Sequence, residues 1–164
     1  MPTSEKDQFI QVWEREFQTT LKVLKAYPHD KHSLQPHSKS PSAKDLAWRI
    51  VTEESVFVKG ALTGEFDFMN LPKPPATMQD VISTYERNHK ESVEKLKKVG
   101  DADLNKMIKF MVAPKTMGDI RSADTLWMMM MDTIHHRGQF SVYLRMADGK
   151  VPSIYGPSAD EPWM

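Results

Sequence analysis

Four stretches of this chain repeat large apolar residues every three or four positions, and that rhythm limits the fold to packed helices. Phe9, Trp13, Phe17, Leu21 and Leu24 lie on one face of a helix running from about Ser4 to Lys25. A second helix starts at Ser42, with Asp45 three residues on as a capping-box variant, and runs to about Leu62. Its stripe is Leu46, Arg49/Ile50, Glu53 and Phe57. A third opens at Thr77 with Asp80 in the same relation, carries Val81, Ile82, Tyr85, His89, Val93 and Leu96, and closes by Gly100. The fourth begins near Ser122 or Asp124 and reaches about Met146, with Leu126, Met129/Met130, Thr133, His136, Phe140 and Tyr143 along one side.

The breaks between stripes set the topology. Pro28, Pro36 and Pro41, with several Ser and His, make the first connection a surface loop; Gly64 and Leu71-Pro72-Lys73-Pro74-Pro75 separate helices two and three. Residues 101–121 carry Met107, Ile108, Phe110, Met111 and Val112 but are bounded by Pro114 and Gly118, and no strand alternation is evident. The expectation there is an irregular connection packed on the helices. The predicted fold is all-α, a four-helix bundle in one domain spanning 1–164, with long connections between helices one and two and between three and four. The tail from Pro152 to Met164 holds three prolines and is expected to be extended.

Composition removes several function classes. Lys plus Arg and Asp plus Glu each number 22, so the chain lacks the net basic field that attracts nucleic acid or an acidic membrane. The absence of cysteine eliminates disulfides, thiolate nucleophiles and Cys-based metal sites. The start, Met-Pro-Thr-Ser-Glu-Lys, does not read as a signal peptide, and no apolar run approaches the ~20 residues of a bilayer span. A cytoplasmic protein is expected.

Helical bundles build sites from side chains that point inward from facing helices. Here the polar interruptions of the apolar stripes are Arg49 and Glu53 on helix two, His89 on helix three, and Asp132 and His136 on helix four. Asp132 and His136 are spaced i, i+4, which lets two side chains grip one ion; an exposed Asp beside a core His is the plainer account of the same spacing. His135 is expected at the surface or behind a ligand, and His29, His32 and His37 are expected in solvent. The run Met128 to Met131 reads as core filler or interface, since any helix must turn two of the four inward.

The stretch Thr133-Ile134-His135-His136-Arg137-Gly138-Gln139, then Tyr143-Leu144-Arg145 and Gly149-x-x-Pro152, resembles the last-helix signature of the DinB family. Ser42 to Val51 is similar to the family's second helix, and Tyr155 to Glu161 to its tail. The resemblance implies a four-helix bundle, a homodimer, a stress-associated role, and a divalent metal such as nickel or zinc held by three histidines. One of those histidines falls where this chain has Arg49, and the other two fall at Asp132 and His136.

Only His136 is retained. Arginine has no free lone pair and stays protonated, so Arg49 is no ligand. Two arrangements follow. In the first, Arg49 and Asp132 form an ion pair with His136 alongside, no cofactor is bound, and the seam with Trp48, Met129, Phe140 and Tyr143 is a small-molecule pocket without catalysis. In the second, Glu53, Asp132 and His136 form a shifted site for one divalent ion (Mn, Fe, Zn or Ni) in a metal-dependent hydrolase or thiol transferase. His136, oriented by Asp132, is the candidate catalytic base. The state of Arg49 discriminates: paired with Asp132 it is structural, and free in a pocket it favours an anionic ligand.

Overall fold

The computed structural model describes residues 3–164; Met1 and Pro2, the start of the expected domain, lie outside the described residues. The four expected helices are α1 (Glu5–Lys25), α2 (Ala43–Thr63), α3 (Met78–Lys97) and, after a one-turn α4 (Asp101–Leu104) and a hairpin, α5 (Ser122–Met146). Three of them begin alike. Ser4, Ser42 and Thr77 sit at the N-caps in extended backbone, and each hydroxyl accepts the backbone N–H of the Asp three residues on. Such a cap contributes about 1 kcal/mol, and the acidic residue also meets the positive end of the helix dipole. At the other end of α2, Gly64 takes a left-handed conformation (φ +80°) and returns its N–H to the Gly60 carbonyl.

α1 packs against α3 and α5, and α2 packs against the same two helices. The buried apolar residues divide into two clusters. One gathers Phe17, Leu24, Leu46, Ile50, Tyr85 and Phe140. The other gathers Phe9, Trp13, Phe57, Val93, Leu126 and Met129. Along each long helix the residues between the two clusters include buried or half-buried polar groups: Glu16 and Thr20, Glu53 and Glu54, His89, and Thr133, His136 and Arg137. A polar layer thus crosses the middle of the molecule, and the candidate site is one part of it. The methionine run splits as a helix requires, with Met129 and Met130 buried and Met128 and Met131 outside.

The fold is mostly helical but not wholly so. Residues 101–121, expected to be irregular, form α4 and an antiparallel hairpin, β1 (Met107–Ala113) with β2 (Thr116–Arg121). The hairpin lies on the helices through Phe110, whose ring is 4.7 Å from that of Phe66 and 5.6 Å from that of Phe57. Of β1 only Phe110 is fully buried, while Met107, Met111 and Val112 are exposed. A two-stranded ribbon with apolar groups on both faces has no inside-outside alternation, so the period that normally announces a strand is missing.

Candidate functional site

Glu53 projects from α2 toward α5, where Asp132 and His136 stand one turn apart. His136 Nδ1 lies 3.3 Å from Glu53 Oε2 and 3.5 Å from Asp132 Oδ2. One ligand atom from each residue can be chosen so that all three lie within 4.8 Å of one another. Glu53 Oε2 and His136 Nδ1 are fully buried, and among the described residues they are the buried side-chain atoms without a hydrogen bond. They are close enough to attract as charges, yet their angles do not make a hydrogen bond. Buried polar groups are nearly always paired, so these two atoms, unbonded within the protein, are an exception to that rule.

The titration of the pair reflects the same crowding. The Glu53 carboxylate chiefly, with Asp132 assisting, raises His136 above its ordinary value; burial and the nearby Arg49 charge oppose this. Glu53 is itself raised, mainly because burial disfavours its charged form, with Asp132 adding repulsion and His136 opposing.

Above the three residues opens a cleft of about 590 Å³. Arg49, Asp132, His136 and Tyr143 line it, together with His135, Gln139 and the loop around Pro36–Pro41. Tyr143 Oη donates to the Pro41 carbonyl at 3.0 Å and so holds that loop at the mouth. Gln139 Nε2 donates to His135 Nε2 at 2.9 Å. Of the residues expected in the pocket, Phe140, Trp48 and Met129 are elsewhere, and Glu53 is not on the cleft lining. Phe140 is fully buried in the core, and the Trp48 indole donates to the Pro72 carbonyl at 2.7 Å on the far side of α2. Met129 is core as well.

Arg49 corrects a central expectation. No Arg49–Asp132 ion pair forms among the described residues; Asp132 turns to His136, and Arg49 is exposed at the cleft wall without a hydrogen-bonded or ionic partner. The reason is geometric: a long arginine on the outer edge of the α2 stripe reaches water, while the shorter Glu53, one turn on, reaches α5.

The buried arginine that does pair across helices is Arg137. It is 2 % exposed, and its Nη1 donates to Glu16 Oε2 of α1 at 2.8 Å and to Thr20 Oγ1 at 3.3 Å. The tail completes this group: Arg137 also donates to Tyr155 Oη, which donates to Glu16 Oε2 at 2.6 Å. Tyr155 is not among the cleft residues, so the tail docks on the α1–α5 side. Asp160 on Arg145 and Glu161 on Lys22 pin it there. A second buried pair, His89 Nδ1 to Glu54 at 3.1–3.2 Å, ties α3 to α2, with Phe17 stacked on the imidazole at 3.7 Å. Glu16 is absent from the sequence candidates, although its place three positions after Trp13, on the apolar face of the first stripe, was the signal that could have found it. Arg137 was masked by His136 beside it.

The DinB family profile matches residues 1–163. The chain belongs to the DinB family. Among curated relatives, the uncharacterized protein YrdA of Bacillus subtilis (strain 168) is 27 % identical over 157 residues, covering 94 % of this chain and 90 % of YrdA. The crystal structure of a DinB-like protein from Bacillus cereus ATCC 10987 superposes with a TM-score of 0.78 at 25 % identity, over 94 % of this chain and all of that one. A DinB-like protein of Bacillus subtilis, YjoA, gives 0.73 at 21 % identity, over 90 % and 97 % of the two chains. The family and a mostly helical, DinB-like fold are thereby shown, and they assign no activity.

Proposed function

We propose that Glu53, Asp132 and His136 hold a divalent cation at the floor of the cleft and that this DinB protein is a metal-dependent enzyme acting on a small molecule. The observation that carries the reading is the pair of buried, unbonded atoms, Glu53 Oε2 and His136 Nδ1, 3.3 Å apart with Asp132 beside them. The donor set fits: two carboxylates and one imidazole suit Mn, Fe or Zn. An ion there would supply Lewis acidity, which polarises a carbonyl and acidifies water or a thiol, the requirement of a hydrolase or thiol transferase.

The chain's own residues do the rest. His136 and Asp132, one turn apart on α5, meet Glu53 from α2, so the helix pair fixes the spacing of the ligands. The apolar clusters on either side flank the floor, while the Asp132 side chain stays open to solvent through the cleft. Tyr143, bonded to Pro41, keeps the loop at the mouth and the cleft open. Arg49 and Asp132 do not pair, so the ion pair that would stand in for the metal is absent; a metal-free pocket with a free Arg49 is the alternative, and it predicts an empty site in the test below.

The test is metal content by mass spectrometry on protein purified without an affinity tag, beside a His136→Ala/Asp132→Ala variant. About one ion per chain in the native protein, lost in the variant, is the expected result. A native protein that stays empty when offered Mn²⁺, Fe²⁺ and Zn²⁺ rejects the reading.

A further inference from the structure

The three ligand candidates leave Arg49 without a task. It is exposed on the cleft wall and, among the described residues, without a partner although Asp132 lines the same cleft. Lys39, on the opposing loop, faces the same space and likewise has no ionic partner among the described residues. The charges in and under the cleft are then two cations, Arg49 and Lys39, and two carboxylates, Asp132 and Glu53. Those cancel. A divalent ion on the two carboxylates changes the balance, because it neutralises them and leaves both cations uncompensated.

We propose that Arg49, assisted by Lys39, is the anion-recognition arm of the cleft, and that the substrate is a small organic acid whose oxyanion lies against the Arg49 guanidinium. This rests on the metal reading for its full strength. The guanidinium presents paired N–H donors in a plane, the geometry that grips a carboxylate or phosphate through two parallel bonds. Pro36, Pro41, Val142 and the Tyr143 ring supply apolar wall that accommodates a short carbon chain, beside polar Ser40, His135 and Gln139. The cleft's volume suits a molecule of that size. Because the ion supplies the charge that unbalances the cleft, metal and anion bind with positive coupling, and each strengthens the other by the same factor.

Isothermal titration with succinate and, separately, inorganic phosphate reads this directly. Wild type, Arg49→Ala and Arg49→Lys are each measured metal-free and Mn²⁺-loaded at low ionic strength, with thermal melts as a folding control. The expected result is that wild type binds at least one probe, more tightly when loaded, and that Arg49→Ala weakens it about tenfold or more while metal affinity is retained. Arg49→Lys recovers only part, because charge remains without the fork. Preference for succinate assigns a carboxylate substrate, and preference for phosphate a phosphorylated one. Wild type that binds neither probe, or Arg49→Ala that binds as well as wild type, overturns the proposal. A protein that takes no Mn²⁺ yet binds the anion through Arg49 rejects the metal reading alone.

Discussion

Glu53 Oε2 and His136 Nδ1 face each other 3.3 Å apart, buried and without a hydrogen bond, at the junction of α2 and α5. Two groups that would each prefer a partner are held at ion-pair distance by helices whose packing is set elsewhere, in the apolar clusters above and below. The arrangement is preorganised by the core and does not depend on the pair's own attraction.

His135 and His136 separate ligand from neighbour. His136→Ala removes a buried ligating atom and should lower metal affinity by more than the roughly 10–100-fold typical of losing a group behind a ligand. His135→Ala, at the exposed side of the cleft, should leave metal affinity within about threefold, since its one side-chain hydrogen bond is to Gln139 and it meets the His136 ring only edge-on at 5.5 Å. Competition with a chromogenic chelator measures both, and equal losses in the two variants would refute the assignment.

Arg137 and Glu16 form a buried ion pair between α5 and α1. Arg137→Ala or Glu16→Ala strands its partner's charge away from water and should each cost about 3–5 kcal/mol. The double variant should cost clearly less than the sum, because no charge is stranded. Arg49→Ala, exposed and unpartnered, should stay within about 0.5 kcal/mol of wild type. Urea denaturation of the four variants decides this, and additive losses at Arg137 and Glu16 would count against the pair.

The tail clasp should open in acid. Lys22, with the Ser153 backbone and hydroxyl, holds Glu161 down to about 2, from an ordinary 4.5. Arg145 and the Val151 N–H likewise lower Asp160. A depressed carboxylate contributes stability that is complete above its unfolded value and is lost as pH falls through its folded one. The docking of residues 151–161 should therefore hold above about pH 4.5 and weaken progressively toward pH 2. Tyr155 chemical shifts followed by NMR would report it, and Glu161→Gln should weaken docking at neutral pH and flatten the acid response. Unchanged shifts down to pH 2.5 would refute the clasp.

The helices and their starts were legible in the sequence because their causes are local. A cap is a relation between Ser42 and Asp45 or Thr77 and Asp80, and an apolar face needs only a period of three or four. The candidate ligands were legible for the same reason: Asp132 and His136 are one turn apart, and Glu53 interrupts a stripe. The hairpin was not legible, since β1 buries Phe110 alone and pairing with β2 is a matter of register, not of composition.

What only the tertiary structure decided is which charge meets which. Arg49 and Glu53 are one turn apart on α2, and both were candidates to face Asp132. The crossing of α2 and α5 brings Glu53 into the interior and leaves Arg49 at the wall, while Arg137, one residue from His136, turns about 100° away to Glu16 of α1. A side chain's partner depends on where separate helices come to rest, and that is set by the summed burial of Phe57, Leu126, Phe140 and their neighbours rather than by any residue beside it.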